Sequence, residues 1–235
     1  MFNNQQLKNM MAWLICTLFF MYEFLLRTIM GTLQSNIMTD FHLNPIEFSI
    51  LSTTSYQCIY GLMQISVGVV IERFGLKRSL IAAIILCCGT TWGFAMTNHY
   101  HLAFLFRLLM GLGSSFGFIC LLMTIYDRMP RKYIAVCIGI SQFMGTLGPM
   151  LAAGPLCDFA EATAYNWREI FYILGAFSAL LAILAFVCID KNRPASSELI
   201  ILARPIGMLE KLWKILKNQQ LWYIVLFSGG CYFAL

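Results

Sequence analysis

The chain has 235 residues, 60% hydrophobic and 11% charged, and its mean hydropathy of +0.74 exceeds what a soluble core requires. Its net charge of +5 gives no reason to invoke nucleic acid, because no basic patch interleaved with stacking aromatics sits in a soluble segment. The 9 cysteines show neither metal-ligand spacing nor a disulfide framework, and no nucleophile, base and orienting group converge at motif spacing. No metal, cofactor or enzymatic activity is therefore expected.

Lys8 precedes the first apolar run, residues 9–33, in the manner of a secretion signal. That run is longer than a signal's apolar region and shows no small-residue cleavage site, so it is read as a retained first helix. Further runs long enough to cross a bilayer follow at 46–71, 79–96, 102–123, 135–156 and 168–189, and another begins near Gln220. Only helices and closed barrels satisfy their backbones in lipid, and these runs are too continuously apolar for the alternating strands of a barrel. The expected fold is an all-α membrane protein: a six-helix bundle over 1–189, a linker over 190–219 and the start of a seventh helix over 220–235. In the linker, Met208, Leu209, Leu212, Trp213, Ile215 and Leu216 share one helical side and Lys211, Lys214 and Lys217 another. An amphipathic helix in the membrane interface follows from that pattern, or else a solvated linker helix packed on the bundle.

Positive charge falls on one side of this scheme. Lys8, Arg73, Lys77, Arg78, Arg128, Arg131, Lys132 and all cations from Lys191 to Lys217 lie in alternate connections, and the opposite connections at 34–45, 97–101 and 157–167 contain none. The cation-bearing side and the amino terminus are therefore expected in the cytoplasm, with the chain as a multi-pass protein of the cell inner membrane.

Ionisable groups well inside a span are Glu23 and Arg27 in the first and Arg107 in the fourth. Such groups are costly in hydrocarbon and mark a pathway, a relay or an internal pair. Glu23 and Arg27 share a face at i,i+4 spacing, and all three are placed in the outer half of a core about 30 Å thick. One reading is a permanent ion pair holding the first and fourth spans together. The other is proton coupling, in which the Glu23 charge is neutralised alternately by a proton and by an arginine. In the second span Tyr56, Tyr60 and Gln64 recur at i,i+4 with Gln57 adjoining. They are candidates either to line a cavity and bind solute or to pack and bond a neighbouring helix.

Small residues follow. Gly89-x-x-x-Gly93 and Gly113-x-x-x-Gly117 allow close approach of backbones, and Gly145-x-x-Gly148-Pro149 permits bending in the fifth span. Gly68-x-x-x-Glu72 recurs as Gly154-x-x-x-Asp158 on the opposite side, as an inverted repeat of two three-helix units would require.

The turn Gly68-x-x-x-Glu72-Arg73-x-Gly75-x-Lys77-Arg78 resembles the signature between helices two and three of the major facilitator superfamily, with glutamate where aspartate is commoner. Arg107-x-x-x-Gly111-x-Gly113 is similar to that family's helix-four motif, and Trp167-Arg168-x-x-Phe171 to the usual start of helix six. Tyr22-Glu23-x-x-x-Arg27 and the Asp40-Phe41-His42-Leu43 loop are similar to the phagosomal transporter and organic-anion symporter groups. The resemblance implies an amino-terminal six-helix bundle of 3+3 inverted repeats, with helices one and four lining the central cavity. It also implies a gating role for Gly68, Glu72, Arg73, Gly75, Lys77 and Arg78, and a partner six-helix half at the carboxyl side. The function expected is a secondary transporter for proton-coupled uptake of a small polar metabolite, such as an amino acid, nucleoside or organic anion. A proton-driven exporter and a truncated, non-transporting membrane fragment are the alternatives.

Overall fold

The computed structural model describes residues 4–156 and 166–189, together with Lys217, Gln219 and Tyr223. All elements among the described residues are helical. The chain divides into two units, Met1–Arg193 and Pro194–Leu235. In the second, Lys217, Gln219 and Tyr223 are exposed helical positions. The rest of the predicted linker helix, the seventh helix and Asp158 of the repeat lie outside the described residues.

In the first unit, α1 (Asn4–Thr32) is the first span. The second is built from α3 (Pro45–Ser49), a π-helical turn (Ile50–Thr54) and α4 (Ser55–Phe74). α5 (Leu76–Met96) is the third, α6 (Tyr100–Ser114) and α7 (Phe116–Arg128) together make the fourth, α8 (Ile134–Ala153) is the fifth and α9 (Trp167–Cys188) the sixth. Five of these are long and apolar enough to cross a membrane outright. The second qualifies only as a bent pair, Pro45–Gln64 and Ser66–Phe74, inclined at 59°.

The connection at 34–45, expected as a loop, contains a helix, α2 (Gln34–Phe41). No glycine or proline interrupts it and Ile37 is fully buried beneath it, so burial of one apolar residue on a short helical turn outweighs the polar composition of its outer face. It ends where His42 takes a left-handed conformation at φ 54°. The chain then re-enters helix through a capping box at Asn44: its side chain accepts from Glu47 N–H at 2.8 Å, and Glu47 Oε2 accepts from Asn44 N–H at 2.9 Å. Pro45 at the first helical position reinforces that start.

Polar bonds and absent side chains hold the spans together, as expected where lipid supplies no hydrophobic drive between helices. Thr17 and Ser141 hydroxyls lie 3.1 Å apart and Trp13 Nε1 donates to Ser141 Oγ at 2.9 Å, joining α1 to α8. Tyr22 and Thr91 join α1 to α5 at 3.2 Å. Gly145 and Gly148 form the α8 contact with α1: a Cβ on Gly145 would strike the Phe20 ring, and one on Gly148 the Met21 carbonyl. Gly89, by contrast, has open space around it, and only its partner Gly93 is packed, against Phe106. The predicted GxxxG of the third span is thus a one-glycine contact.

The α5–α9 pair is fastened at both ends. Lys77, in the first turn of α5, donates to the Phe186 carbonyl in the last turn of α9 at 2.8 Å. At the other end Arg168, in the first turn of α9, donates to the Ala95 and Thr97 carbonyls at 2.7 Å each. Both are cations on the carbonyl-bearing end of a helix, where the peptide dipoles favour positive charge.

Replacing Gly148 with valine should lower the midpoint of thermal unfolding in detergent by an amount corresponding to about 1–3 kcal/mol, since the added carbons meet backbone that cannot yield. Gly139→Val on the same helix, where nothing lies within 4 Å of an added Cβ, should leave the midpoint within experimental error. Equal effects of the two would show that α8 does not dock on α1 through Gly148.

Candidate functional site

The charged residues of the first and fourth spans meet near the crossing of α1, α4 and α6 but do not form one ion pair. Arg107 has no exposed surface. Its Nε and Nη2 donate to the Ser52 carbonyl at 3.2 and 3.1 Å, and its Nη1 donates to the Leu26 carbonyl at 3.0 Å. The guanidinium carbon lies 4.6 Å from the centre of the Tyr56 ring. Among the described residues Arg107 makes no ion pair with Glu23, so the permanent Glu23–Arg107 pair considered from sequence is not what joins these spans. Carbonyl dipoles and a π face compensate the buried cation instead. Ser52 sits in the π-helical turn, where Ser55 N–H reaches back to Ile50 O and regular i→i−4 pairing is broken. Sequence gave no sign of this turn, because Ile-Leu-Ser-Thr-Thr contains neither glycine nor proline.

Glu23 is 2% exposed. Its Oε1 accepts from Tyr60 O–H at 3.3 Å, its backbone carbonyl accepts from Tyr56 O–H at 3.2 Å, and among the described residues its Oε2 has no hydrogen-bond partner. Oε2 lies against Gly117 in the first turn of α7, where a Cβ would overlap it. Gly113, the other half of the predicted small-residue pair, faces Cys87 and the Ala83 carbonyl of α5 instead. One motif thus serves two neighbours: the third span at Gly113 and the Glu23 carboxyl at Gly117.

Arg27 is exposed, one turn beyond Glu23. With the Gln57 amide turned so that its oxygen faces the cation, that oxygen accepts from Arg27 Nε and Nη2 at 2.5 and 2.6 Å. The Phe24 ring lies 5.9 Å from the guanidinium carbon. Tyr56 and Tyr60 stack at 6.2 Å and 11°, Tyr56 fully buried and Tyr60 half-buried. Gln64, a further turn along the same face, is half-buried. The structure therefore brings Glu23, Arg27, Tyr56, Gln57, Tyr60 and Arg107 into one neighbourhood on three spans.

The Gly68–Arg78 turn lies apart from it, its Glu72 being 12 residues beyond Tyr60 and so about 18 Å along the helix path. Gly75 joins α4 to α5 at φ 84°, a conformation that disfavours any side chain. Glu72, Arg73 and Arg78 are exposed, and Lys77 is bound to the end of α9. A contact missed from sequence ties the Asp40 loop to the sixth span: Asp40 Oδ2 accepts from Trp167 Nε1 at 2.7 Å and pairs with Arg168 at 3.5 Å. Asp40 and Trp167–Arg168 belong to two separate sequence signatures, and nothing in a spacing of 127 positions links them.

The family model for the Major Facilitator Superfamily matches residues 14–235. The chain belongs to that superfamily. Among curated relatives, the galacturonate transporter of Dickeya chrysanthemi is 25% identical over 215 residues, covering 86% of this chain and 61% of its own length. The multidrug resistance protein B homolog of Mycobacterium tuberculosis H37Rv is 23% identical, covering 73% of this chain and 31% of its own. The chain thus spans between about a third and three fifths of these major facilitators. Among solved structures, a bacterial homolog of the human lysosomal transporter Spinster, crystallised inward-facing and unoccupied, superposes with a TM-score of 0.71 at 21% identity. It covers 80% of this chain and 44% of that one. The six-span bundle accordingly has the fold of the amino-terminal half of a major facilitator.

Arg107→Ala should destabilise the bundle by about 3 kcal/mol or more, because two buried carbonyls lose their donors together. Arg107→Lys should fall between, a compact ammonium being unable to serve Leu26 and Ser52 at once. Thermal unfolding in detergent, followed by circular dichroism, measures both; an unchanged midpoint for Arg107→Ala would remove Arg107 from its structural role.

Proposed function

We propose that this chain forms the proton-coupling bundle of a secondary transporter that takes up a small organic anion by alternating access. The observation that carries this reading is the pairing of unlike environments on one helix face: a buried carboxyl, Glu23, with one oxygen unpartnered, and one turn away an exposed guanidinium, Arg27. A buried carboxyl with a single neutral hydrogen bond is suited to carry a proton, since its ionised form would lack the partners a buried charge needs. An exposed arginine inside a membrane-spanning face is suited to take a carboxylate in bidentate fashion. Gln57, Tyr60 and Gln64 would complete the solute-binding face, and Tyr56, being buried under Arg107, would support it.

The galacturonate transporter named above handles a sugar acid, which agrees with an anion site at Arg27. The likeness to a multidrug resistance protein speaks for the alternative, a proton-driven exporter. Alternating access requires a second bundle rocking against this one. Residues 190–219 would then be the linker toward it and 220–235 the start of a seventh helix. The exposed Glu72, Arg73 and Arg78 of the turn would bias the access state through contacts with that bundle, while Lys77 anchors the turn to α9. The cation-rich side and the amino terminus would face the cytoplasm, with the protein in the cell inner membrane.

In a transporter assembled from this bundle and a second six-span half, Glu23→Gln should abolish accumulation driven by a proton gradient while sparing exchange of substrate. Arg27→Gln should raise KM for an anionic substrate about tenfold or more, by removing a charge-assisted bond. Concentrative uptake by Glu23→Gln, measured in energised vesicles, would make Glu23 structural, and uptake that moves outward instead would establish the exporter.

Topology is tested on a cysteine-free background. Cysteines at Ser35 and Asn98, both exposed, should react with an impermeant thiol reagent added outside intact cells, and one at the exposed Phe74 only after permeabilisation. The reverse pattern would invert the orientation.

A further inference from the structure

The 59° bend between Pro45–Gln64 and Ser66–Phe74 lies beside a groove of about 400 Å³ between the second, third and fourth spans. Its walls are apolar: Val67 and Phe74 from α4, Ala82 and Leu86 from α5, and Phe116 from α7. At one end stand Arg78 and Ser79, in the first turn of α5. Arg78 is exposed. Ser79 is 5% exposed, and among the described residues its Oγ has no hydrogen-bond partner. The helix that begins here runs for 21 residues, and its cap, Gly75, offers no side chain to its first N–H groups. Arg73 is a second exposed cation on the adjoining turn. Among the described residues no acidic side chain lines the groove; Glu72, exposed on the turn, lies outside its lining.

We propose that this groove binds an anionic phospholipid, its phosphate at Arg78, Ser79 and the amino-terminal end of α5 and an acyl chain along the apolar wall toward Leu86. Each part of the lipid meets the matching chemistry. A phosphate is an acceptor-rich anion, and the end of the groove presents a guanidinium, an unsatisfied hydroxyl and the positive pole of a helix. From Ser79 to Leu86 the apolar wall extends about 10 Å along α5, enough for the headgroup-proximal part of an acyl chain. A helix from another protein, about 10 Å across with its side chains, is too broad for a groove of this volume, which falls in the range of small-molecule sites. Basic pockets between spanning helices are known to hold acidic headgroups. The proposal shares Arg78 with the gating role proposed for the turn but not its readout: lipid retention is measured on the 235-residue chain without a second bundle, so its failure leaves the roles of Glu23 and Arg27 untouched.

The test is native mass spectrometry of the full 235-residue chain taken from nanodiscs of equal phosphatidylglycerol and phosphatidylcholine. The wild-type chain should retain phosphatidylglycerol about fivefold over phosphatidylcholine, as expected for one added basic contact. Arg78→Gln should bring the two lipids to parity. Ala82→Trp, which fills the groove from an exposed position, should remove retained lipid of both kinds. Unchanged helicity by circular dichroism and a single elution peak confirm that the variants fold; should Ala82→Trp fail that check, Arg78→Gln alone decides. Equal retention of both lipids by the wild-type chain, or undiminished preference in Arg78→Gln, overturns the proposal. So does efficient dimer formation through a cysteine placed at Val70, which would assign the groove to a second copy of the chain.

Discussion

The bundle depends on how it accommodates one cation with no water around it. Arg107 cannot lose its proton at any ordinary pH, so hydrocarbon must offer it acceptors. The structure supplies carbonyls from two different helices, Leu26 of α1 and Ser52 of the π-helical turn, and a tyrosine ring beneath. A single side chain on α6 therefore sets the separation of the first, second and fourth spans. The Ser52 carbonyl of an irregular turn thus helps to hold a charge, and irregular backbone at membrane depth is tolerated where it is buried in protein in this way.

Because Arg107 is satisfied by backbone, Glu23 is left without its strongest available counter-charge. Its remaining contacts are a tyrosine hydroxyl on one oxygen and the bare Cα of Gly117 near the other. The other cation of α1, Arg27, is exposed and bonded to a neutral amide. The two charges on α1 are thus kept in different surroundings although they lie one turn apart, so each can respond to a different ligand.

The spans were legible in the sequence because a bilayer imposes length and apolarity directly, and all but one of the described connections hold no α-helix of their own. The exception, residues 34–45, looked like a loop because Asp40, His42 and Asn44 are polar; a short helix seated on Ile37 carries those polar groups on its outer face. Candidate site residues were legible as types, since charge inside a span is rare and therefore conspicuous. Their partners were not. Helical spacing put Glu23 and Arg27 on one face, but a step of four residues advances about 40° beyond a full turn, enough here to leave one buried and the other exposed. The partners of Arg107 were hidden because sequence displays side chains, Glu23 among them, and not the carbonyls that fold against a cation. The Asp40–Trp167 bond was invisible for a similar reason: it is made by tertiary folding between residues that no local period relates.

The α5–α9 pair carries a mechanical consequence. Each helix contributes a cation from its own beginning to the carbonyls at the other's end, Lys77 to Phe186 and Arg168 to Ala95 and Thr97. The arrangement is self-complementary about an axis across the pair, the relation that an inverted duplication of three-helix units generates. Sliding one helix past the other by a turn, about 5.4 Å, would break the bonds at both ends together, and no intermediate displacement would keep either. The third and sixth spans are therefore coupled as a single strut. Any hinge within this bundle has to lie elsewhere, at the bend of the second span or at the interruption of the fourth, while this strut transmits displacement undiminished from one membrane face to the other.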